Sequence, residues 1–274
     1  YFIYPGGHWI GNVVLFPRLL ATTIWVIGLG SPSQHTVDVV AAYFPAMLGA
    51  LTVIPVYFIG KELFGRWAGV LAAALLAVMP GEFLGRSILG FTDYHVAETL
   101  FTTTGMMFLV LAIRASKEAG LSFTHLRQRD WTVVTRPLVY SLLAGICLAV
   151  YFLTWPGALL FVLITSTFLI VQFISDHLRQ QPTDYLCLVG TIPIIVVLIL
   201  FMPTSHNISF LTSLIIASLT PITLHSLSRY MTGKGIRAAY YPAAVVALGL
   251  AAAGILYLAN RSLFGDLLLS LIHI

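Results

Sequence analysis

Apolar residues form long runs, separated by short polar segments, along almost the whole chain. A membrane-spanning helix needs about 17–25 mostly apolar residues, and eight runs meet this requirement: 36–60, 67–85, 97–114, 138–154, 157–175, 186–202, 209–226 and 241–259. Residues 11–29 are also apolar, but Pro17 and Arg18 interrupt them. For this segment we expect an interfacial or re-entrant helix, with a ninth span as the alternative. The pattern predicts an all-α, polytopic membrane protein.

Composition supports a membrane protein and excludes an ordinary soluble domain. Of the 274 residues, 59% are hydrophobic and only 9% are charged, whereas soluble domains carry about 25% charged residues. The net charge of +4 is spread over short loops and forms no basic patch. We therefore predict membrane lipid as a partner and no nucleic acid.

The basic residues divide the loops into two sets. Eleven of the 14 Lys and Arg residues fall in the segments 61–66, 114–137, 176–185 and 227–240. The alternate segments, which are 1–35, 86–96, 155–156, 203–208 and 260–274, contain only Arg18, Arg86 and Arg261. Since loops rich in Lys and Arg stay in the cytoplasm, the second set is predicted to be extracytoplasmic in a multi-pass protein of the cell membrane.

A polar cluster in residues 86–98 lies between two apolar runs on that predicted outer face. Ionisable groups are costly at a membrane and usually serve a function. Asp93 and His95 are two residues apart, so an extended segment would place both side chains on one side. Carboxylate and imidazole ligands suit Mn²⁺, Mg²⁺ or Zn²⁺, although two ligands alone do not make a site. The alternative is that Asp93 caps the following helix and His95 lies at the interface.

Four other outward residues could contact substrate, and each has a simpler interpretation. Arg86 could orient a carboxylate or bind a phosphate, or it could be an interfacial anchor. Glu98 could be a further ligand or simply lie at the interface. His8 follows a glycine-rich segment and could reach the same site, or it could be solvated. Trp155 could stack on a sugar or seat a lipid, or it could belong to an aromatic belt.

The segment Arg86–His95, Arg-Ser-Ile-Leu-Gly-Phe-Thr-Asp-Tyr-His, resembles the second acidic motif of oligosaccharyltransferase catalytic subunits. That motif has the form Arg-x-x-x-Gly-x-x-Asp-x-(Asp/Glu/His), and its Asp-x-His version is most similar to the archaeal AglB type. Residues 4–8 look like the end of the family's first outer loop. Residues 151–157 resemble its aromatic-rich turn after the fifth span.

The resemblance implies a fold, an activity and a site. The fold would be a GT-C-type helical bundle, here with about eight transmembrane helices and one interfacial helix. The activity would be the transfer of an oligosaccharide from a dolichol-type, lipid-linked phosphate or pyrophosphate to the Asn of an Asn-x-Ser/Thr acceptor. Asp93 and His95 would bind Mn²⁺ or Mg²⁺, with Zn²⁺ as a further option, and Arg86 would brace their loop in a catalytic role. His8, Trp155 and Glu98 would contact the substrate.

The resemblance also predicts how the chain is divided. Residues 1–35 would be part of the first outer loop with its interfacial helix, 36–259 the transmembrane bundle, and 260–274 the start of another outer loop. We expect the chain to be a piece of a longer protein whose soluble domain lies beyond it, and to be inactive alone. Two rival functions remain: a GT-C transferase that uses a lipid-linked sugar and another acceptor, and a polytopic transporter. A transporter predicts ionisable residues near the bilayer midplane, whereas here they lie at the rim.

Overall fold

A computed structural model describes residues 2–3, 8–9, 15–204, 208–259, 261 and 264–265, and these are mostly helical. The elements are the strands β1 (Phe2–Ile3) and β2 (His8–Trp9) and the helices α1 (Leu15–Ile27), α2 (Gln34–Phe64), α3 (Arg66–Val78), α4 (Glu82–Arg86), α5 (His95–Glu118), α6 (Phe123–Arg127), α7 (Trp131–Phe152), α8 (Leu159–Leu178), α9 (Asp184–Phe201), α10 (Ile208–Gly233) and α11 (Tyr241–Ala259). Short 3₁₀ turns at Pro156–Ala158 and Ala238–Tyr240 precede α8 and α11.

Seven helices among the described residues are long and apolar enough to cross a membrane. They are α2, α5, α7, α8, α9, α10 and the segment Ala238–Leu258, which contains most of α11. Each overlaps one of the predicted spans, so the predicted all-α membrane bundle is confirmed. Helix α1 has only 13 residues, about 20 Å, which is short for a span. The expected interfacial or re-entrant placement of this segment stays a prediction.

The prediction of one continuous span at 67–85 is wrong. Helix α3 has 13 residues and ends at Val78, and the five-residue α4 begins only at Glu82. The break comes from Pro80, because a proline disfavours the helical conformation of the residue before it. Met79 accordingly has extended angles, φ −72° and ψ 124°. Helix α4 and the polar cluster after it thereby become separate from α3.

Residue contacts divide the chain into two compact units. The first unit comprises Tyr1–Leu111 and Ile146–Pro156. In it, α2 packs along α3 and against α1 and α4. Phe16 of α1 meets Phe44 of α2 edge to face, with ring centroids 5.6 Å apart, and both pack with Ala97 of α5. This small apolar core lies directly under the start of α5, where the polar cluster ends.

The second unit comprises Ala112–Gly145 and Gly157–Ile274, and α10 is its central helix, packing against α8, α9 and α11. Glycine allows close helix packing here, since a Cβ at Gly145 would lie 2.6 Å from Val196. The buried cluster of this unit combines residues of α7, α8, α9 and α10 with the loop before α6: Leu121, Val134, Leu169, Phe173, Tyr185, Leu186, Cys187 and Leu224.

Candidate functional site

Arg86, the last residue of α4, forms two ion pairs. Its Nε donates to Oε2 of Glu82, one turn earlier, at 2.7 Å, and its Nη1 donates to Oδ2 of Asp93 at 3.3 Å. The hydrogen bond from Arg86 holds the pKa of Glu82 below its usual value, and the bond to Glu82 raises the pKa of Arg86. Arg86 is therefore a permanent positive charge directed at the Asp93 loop.

Asp93 uses its two carboxylate oxygens differently. Oδ1 accepts a 2.7 Å hydrogen bond from the amide of the next residue, Tyr94. Oδ2 faces Arg86 and also lies 3.7 Å from Nε2 of His95. The Oδ1 bond to the adjacent amide is not an N-cap bond, which would run to the second or third residue of the helix. The metal-binding role of Asp93 stays a prediction.

His95 is the first residue of α5 and is held from two sides. Its Nδ1 lies 3.0 Å from Oε2 of Glu98, one turn later, and its ring lies against that of Tyr94, with centroids 4.3 Å apart. A carboxylate partner favours the tautomer with the proton on Nδ1. The lone pair of Nε2 is then available on the side where Asp93 lies.

The loop between α4 and α5 is bound to α2 by two hydrogen bonds. The amide of Gly90 donates to the carbonyl of Ala42, and Oγ1 of Thr92 donates to the carbonyl of Ala41, both at 2.9 Å. Within α2, the carbonyl of Ala41 would normally accept from residue 45, but that residue is Pro45, which has no N–H. The proline therefore leaves a backbone acceptor free for the loop that carries Asp93.

One turn further along α2, Gly49 lets the same loop approach closely. A Cβ at Gly49 would lie only 2.6 Å from Cβ of Ser87, and Ser87 itself is buried. Gly90 has φ +88°, in the left-handed region that glycine adopts at little cost. We call the face of α2 formed by Ala41, Ala42, Pro45 and Gly49 the α2 platform. It fixes the loop between Arg86 and Asp93.

The residues of this cluster fit a divalent cation as two of its ligands. Ligand atoms about 2.1 Å from one ion are about 3.0–3.6 Å apart, close to the 3.7 Å between Asp93 Oδ2 and His95 Nε2. A carboxylate on the second imidazole nitrogen, as in Glu98, is the usual partner of a metal-binding histidine. No group of three His, Cys, Asp or Glu side chains suited to an ion occurs in the described part of the chain. The pair therefore needs further ligands from elsewhere.

A cleft of about 450 Å³ opens beside the cluster and is lined by Glu82, Phe83, Arg86, His95, Glu98 and Thr99. Of the predicted site residues, the structure brings together Arg86, Asp93, His95 and Glu98. Trp155 packs near Tyr151, with ring centroids 6.0 Å apart. The backbone of His8 pairs with Ile3 in the β1–β2 ladder, but its side chain lies outside the described residues. The roles proposed for His8 and Trp155 stay predictions.

Sequence reasoning missed the residues that hold the cluster in place. Thr92 and Gly90 lie inside the motif, yet their partners are backbone carbonyls 51 and 48 residues earlier in the chain. Pro45 offered a signal, because a proline inside a helix always leaves a carbonyl without its helical donor. The structure makes Glu98 the hydrogen-bond partner of His95, and its contact with substrate stays a prediction.

Comparison with known proteins connects this arrangement to a family. Residues 3–240 match the family model described as "Oligosaccharyl transferase STT3, N-terminal". The chain is 33% identical over 252 residues to the dolichyl-monophosphooligosaccharide–protein glycotransferase AglB of Haloferax volcanii, covering 88% of this chain and 24% of that protein. It is 29% identical over 206 residues to dolichyl-phosphooligosaccharide-protein glycotransferase 3 of Archaeoglobus fulgidus, covering 74% and 22%. The chain spans about a quarter of the length of these relatives.

Solved structures show the same fold. The archaeal oligosaccharyltransferase AglB from Archaeoglobus fulgidus, in complex with an inhibitory peptide and a dolichol-phosphate, superposes with a TM-score of 0.81 at 23% identity, covering 98% of this chain and 33% of that one. The Archaeoglobus fulgidus oligosaccharyltransferase in complex with Zn and sulfate superposes with a TM-score of 0.76 at 24% identity, covering 93% and 32%. Since the family model extends over most of the chain, from the first strand into the turn before α11, the chain belongs to the oligosaccharyltransferase STT3 family.

Proposed function

We propose that the protein containing this chain transfers an oligosaccharide from a dolichol-type, lipid-linked phosphate donor to the Asn of Asn-x-Ser/Thr acceptors. The names of the two relatives above support this class of transferase. A further solved structure of the fold, with a TM-score of 0.80 and 24% identity, is tethered to an acceptor peptide containing the NVT sequon. The observation that carries the proposal is the 3.7 Å pair of Asp93 Oδ2 and His95 Nε2, with Arg86 on the same oxygen.

The side chains of the cluster have complementary roles in this reaction. Asp93 and His95 would hold a divalent cation, Mn²⁺ or Mg²⁺ with Zn²⁺ as a further option, and this cation supplies stabilisation of negative charge on the departing phosphate. Glu98 keeps the Nδ1 proton of His95 in place, so that Nε2 remains a lone-pair donor. Arg86 forms an ion pair with Asp93 and adds a positive charge to the cleft where the phosphate would lie.

We also propose that the cleft opens on the extracytoplasmic face of the cell membrane. Helix α5 supports this placement, because it begins with His95 and has Arg114 and Lys117 near its other end. The 22 residue-to-residue steps from His95 to Lys117 correspond to about 33 Å of helix, enough to cross the hydrocarbon core. Lys and Arg mark the cytoplasmic side, so the cluster at the start of α5 would lie outside.

A GT-C transferase with another acceptor is the second candidate function. The Asp93–His95 pair and the cleft would serve a lipid-linked phosphate donor whichever group accepts the sugar. The two candidates therefore differ in the acceptor alone, and the experiment must vary the acceptor while it keeps the donor constant.

The test uses the full-length protein in membranes, with lipid-linked oligosaccharide and a fluorescent Asn-x-Thr peptide, in Mn²⁺ or in chelator. We expect glycopeptide only with metal, none when Gln replaces the acceptor Asn, and none from Asp93→Ala protein at normal expression. Glu118→Gln, which alters an exposed carboxylate paired with Arg114, is the matched control and keeps activity.

Two results would contradict the proposal in different ways. Donor consumption without glycopeptide would assign the protein to a transferase with another acceptor. Full activity of the Asp93→Ala protein would remove the metal assignment, whatever the acceptor.

A further inference from the structure

A cavity remote in sequence from the Asp93 cluster belongs entirely to the second unit. It has a volume of about 810 Å³ and is bounded by the ends of α8 and α10, the start of α9, and the loops that follow α8 and α10. Since α8, α9 and α10 are all candidate spans, the cavity lies at the level where such helices leave the membrane. This is the depth of lipid headgroups.

The walls of the cavity are well-ordered helix ends. After α8, the amide of Gln181 donates to the carbonyl of Asp176 at 2.8 Å, and after α10, the amide of Ile236 donates to the carbonyl of Met231 at 3.0 Å. Both bonds close a helix terminus in the manner of a Schellman motif. The same kind of backbone hydrogen bond therefore fixes the start of each loop. The fold in this way determines the shape of the space between the two loops.

Buried polar side chains line the inner part of the cavity. His177 is only 6% exposed, its Nδ1 is hydrogen-bonded to Oγ of Ser228 at 2.7 Å, and its ring is stacked on Tyr241 at 4.1 Å. With Nδ1 engaged by Ser228, Nε2 is the nitrogen left for a ligand. Thr183, also buried, bonds to His225, and its side chain does not cap α9.

The charge balance of the cavity favours an anion. Arg229 and Arg237 line it, and neither forms an ion pair with a carboxylate of the described residues. The acidic lining residue, Asp184, is already engaged, because Oδ2 accepts from the amide of Phe123 at 3.3 Å and Oδ1 lies 3.8 Å from Nε2 of His225. The charges left for a ligand are thus positive.

We infer that this cavity is a binding site for the phosphate of an anionic lipid headgroup, held by Arg229 and Arg237 with Ser228 and His177 at its inner wall. Basic pockets between membrane helices on the side rich in Lys and Arg bind anionic headgroups. Exposed tyrosines at the same end, Tyr230 and Tyr240, suit the interface where headgroups lie. Lipid bound at this site would make the packing of α8, α9 and α10 depend on lipid composition. This dependence would not require glycan transfer.

The test is lipid retention by the full-length protein, measured by native mass spectrometry after exchange into nanodiscs of phosphatidylglycerol or phosphatidylcholine. We expect preferential retention of phosphatidylglycerol. Each arginine should contribute about fivefold, so Arg229→Gln/Arg237→Gln should retain about 25-fold less. The matched control is Arg127→Gln/Arg136→Gln, which removes the same charge from exposed positions outside the cavity and should retain as much as the unaltered protein.

Three outcomes would overturn the inference. Equal retention by the cavity variant and the unaltered protein would remove the site, and equal loss in both double variants would show only a general charge effect. Displacement of the lipid by millimolar inorganic phosphate would assign the cavity to free phosphate. Thermal unfolding of each variant establishes that it is folded, and Arg229→Lys/Arg237→Lys, which keeps the charges, should retain lipid even if the Gln variant proves unstable.

Discussion

The imidazole of His95 and the carboxylate of Glu98 are joined at 3.0 Å across the first turn of α5. This spacing is intrinsic to a helix, since residues three apart lie on the same face. The start of α5 therefore sets both the orientation and the tautomer of His95, before any metal or substrate binds. Asp93 lies in the loop between α4 and α5, and its carboxylate approaches His95 from that loop.

Replacing Glu98 by Ala should weaken metal binding while leaving the fold intact. Loss of a carboxylate partner of a metal-binding histidine typically lowers metal affinity about 10–100-fold. Glu98→Gln, whose amide oxygen can still accept from Nδ1, should lose less. The measurement is Mn²⁺ binding to the full-length protein by electron paramagnetic resonance, together with the Mn²⁺ dependence of transfer. Glu118→Ala is the control, and an unchanged Mn²⁺ affinity in Glu98→Ala would exclude this role.

Replacing His95 by Asp should keep part of the activity and change the preferred metal. The substitution exchanges a nitrogen ligand for an oxygen ligand, which favours Mg²⁺ and Mn²⁺ over Zn²⁺. Transfer rates measured with each of the three ions would reveal the change. If the rank order of the three ions is identical before and after the substitution, His95 is not a ligand.

Replacing Thr92 by Val should loosen the loop that carries Asp93. The variant keeps the side-chain shape but loses the 2.9 Å bond to the carbonyl of Ala41, a contribution of about 1 kcal/mol. Amide hydrogen exchange of residues 88–94 should accelerate about fivefold, and Thr92→Ser should restore slow exchange. Thr135→Val, which loses a bond within its own helix, should leave this segment unchanged. Unaltered exchange in Thr92→Val would show that the bond does not hold the loop.

Replacing Pro45 by Ala should make α2 more regular and the site less ordered. A residue with an N–H at this position can donate to the carbonyl of Ala41 and so compete with Thr92. We expect unfolding at an equal or higher temperature together with faster exchange in residues 88–94 and weaker Mn²⁺ binding. Pro55→Ala, a proline of the same helix further from the loop, is the control. Lower stability with an unaffected loop would contradict the role of Pro45.

Replacing Gly49 by Ala should displace the loop directly. The added methyl group would lie 2.6 Å from Cβ of Ser87, and overpacking of this kind costs about 1–3 kcal/mol. Activity should fall, and Ser87→Gly in the same chain should recover part of it by making room. Gly254→Ala, where nothing lies within 4 Å, should behave like the unaltered protein. Failure of Ser87→Gly to restore any function would mean that this contact is not the cause.

Local sequence patterns predicted the spans and the Asp93–His95 pair because both depend on short-range physics. Apolar runs determine where helices can cross a lipid bilayer, and the two-residue spacing before α5 was enough to place the two side chains together. The break after α3 was also visible in principle, since Pro80-Gly81 is a strong turn signal. It was missed because the surrounding residues are as apolar as a span.

The support of the site could not be predicted from local patterns, because it joins segments far apart in the chain. Thr92 bonds to a carbonyl 51 residues earlier, and nothing in the spacing of polar residues specifies that partner. The cavity lined by Arg229 and Arg237 also could not be predicted from local patterns. Its basic residues were evident as topology signals, but only the packing of α8 and α10 places them around one space.

The loop that carries Asp93 is bonded, at the carbonyl that Pro45 leaves free, to a helix long enough to cross a membrane. The carbonyls of Ala41 and Ala42 are consecutive, so any change in the bend of α2 moves both acceptors together. The two hydrogen bonds from the loop to these carbonyls would then form or break together. Helix α2 has 31 residues in all and ends at Phe64, so it is about 46 Å long. A partner that bent or straightened the far end of α2 would therefore move the loop that carries Asp93.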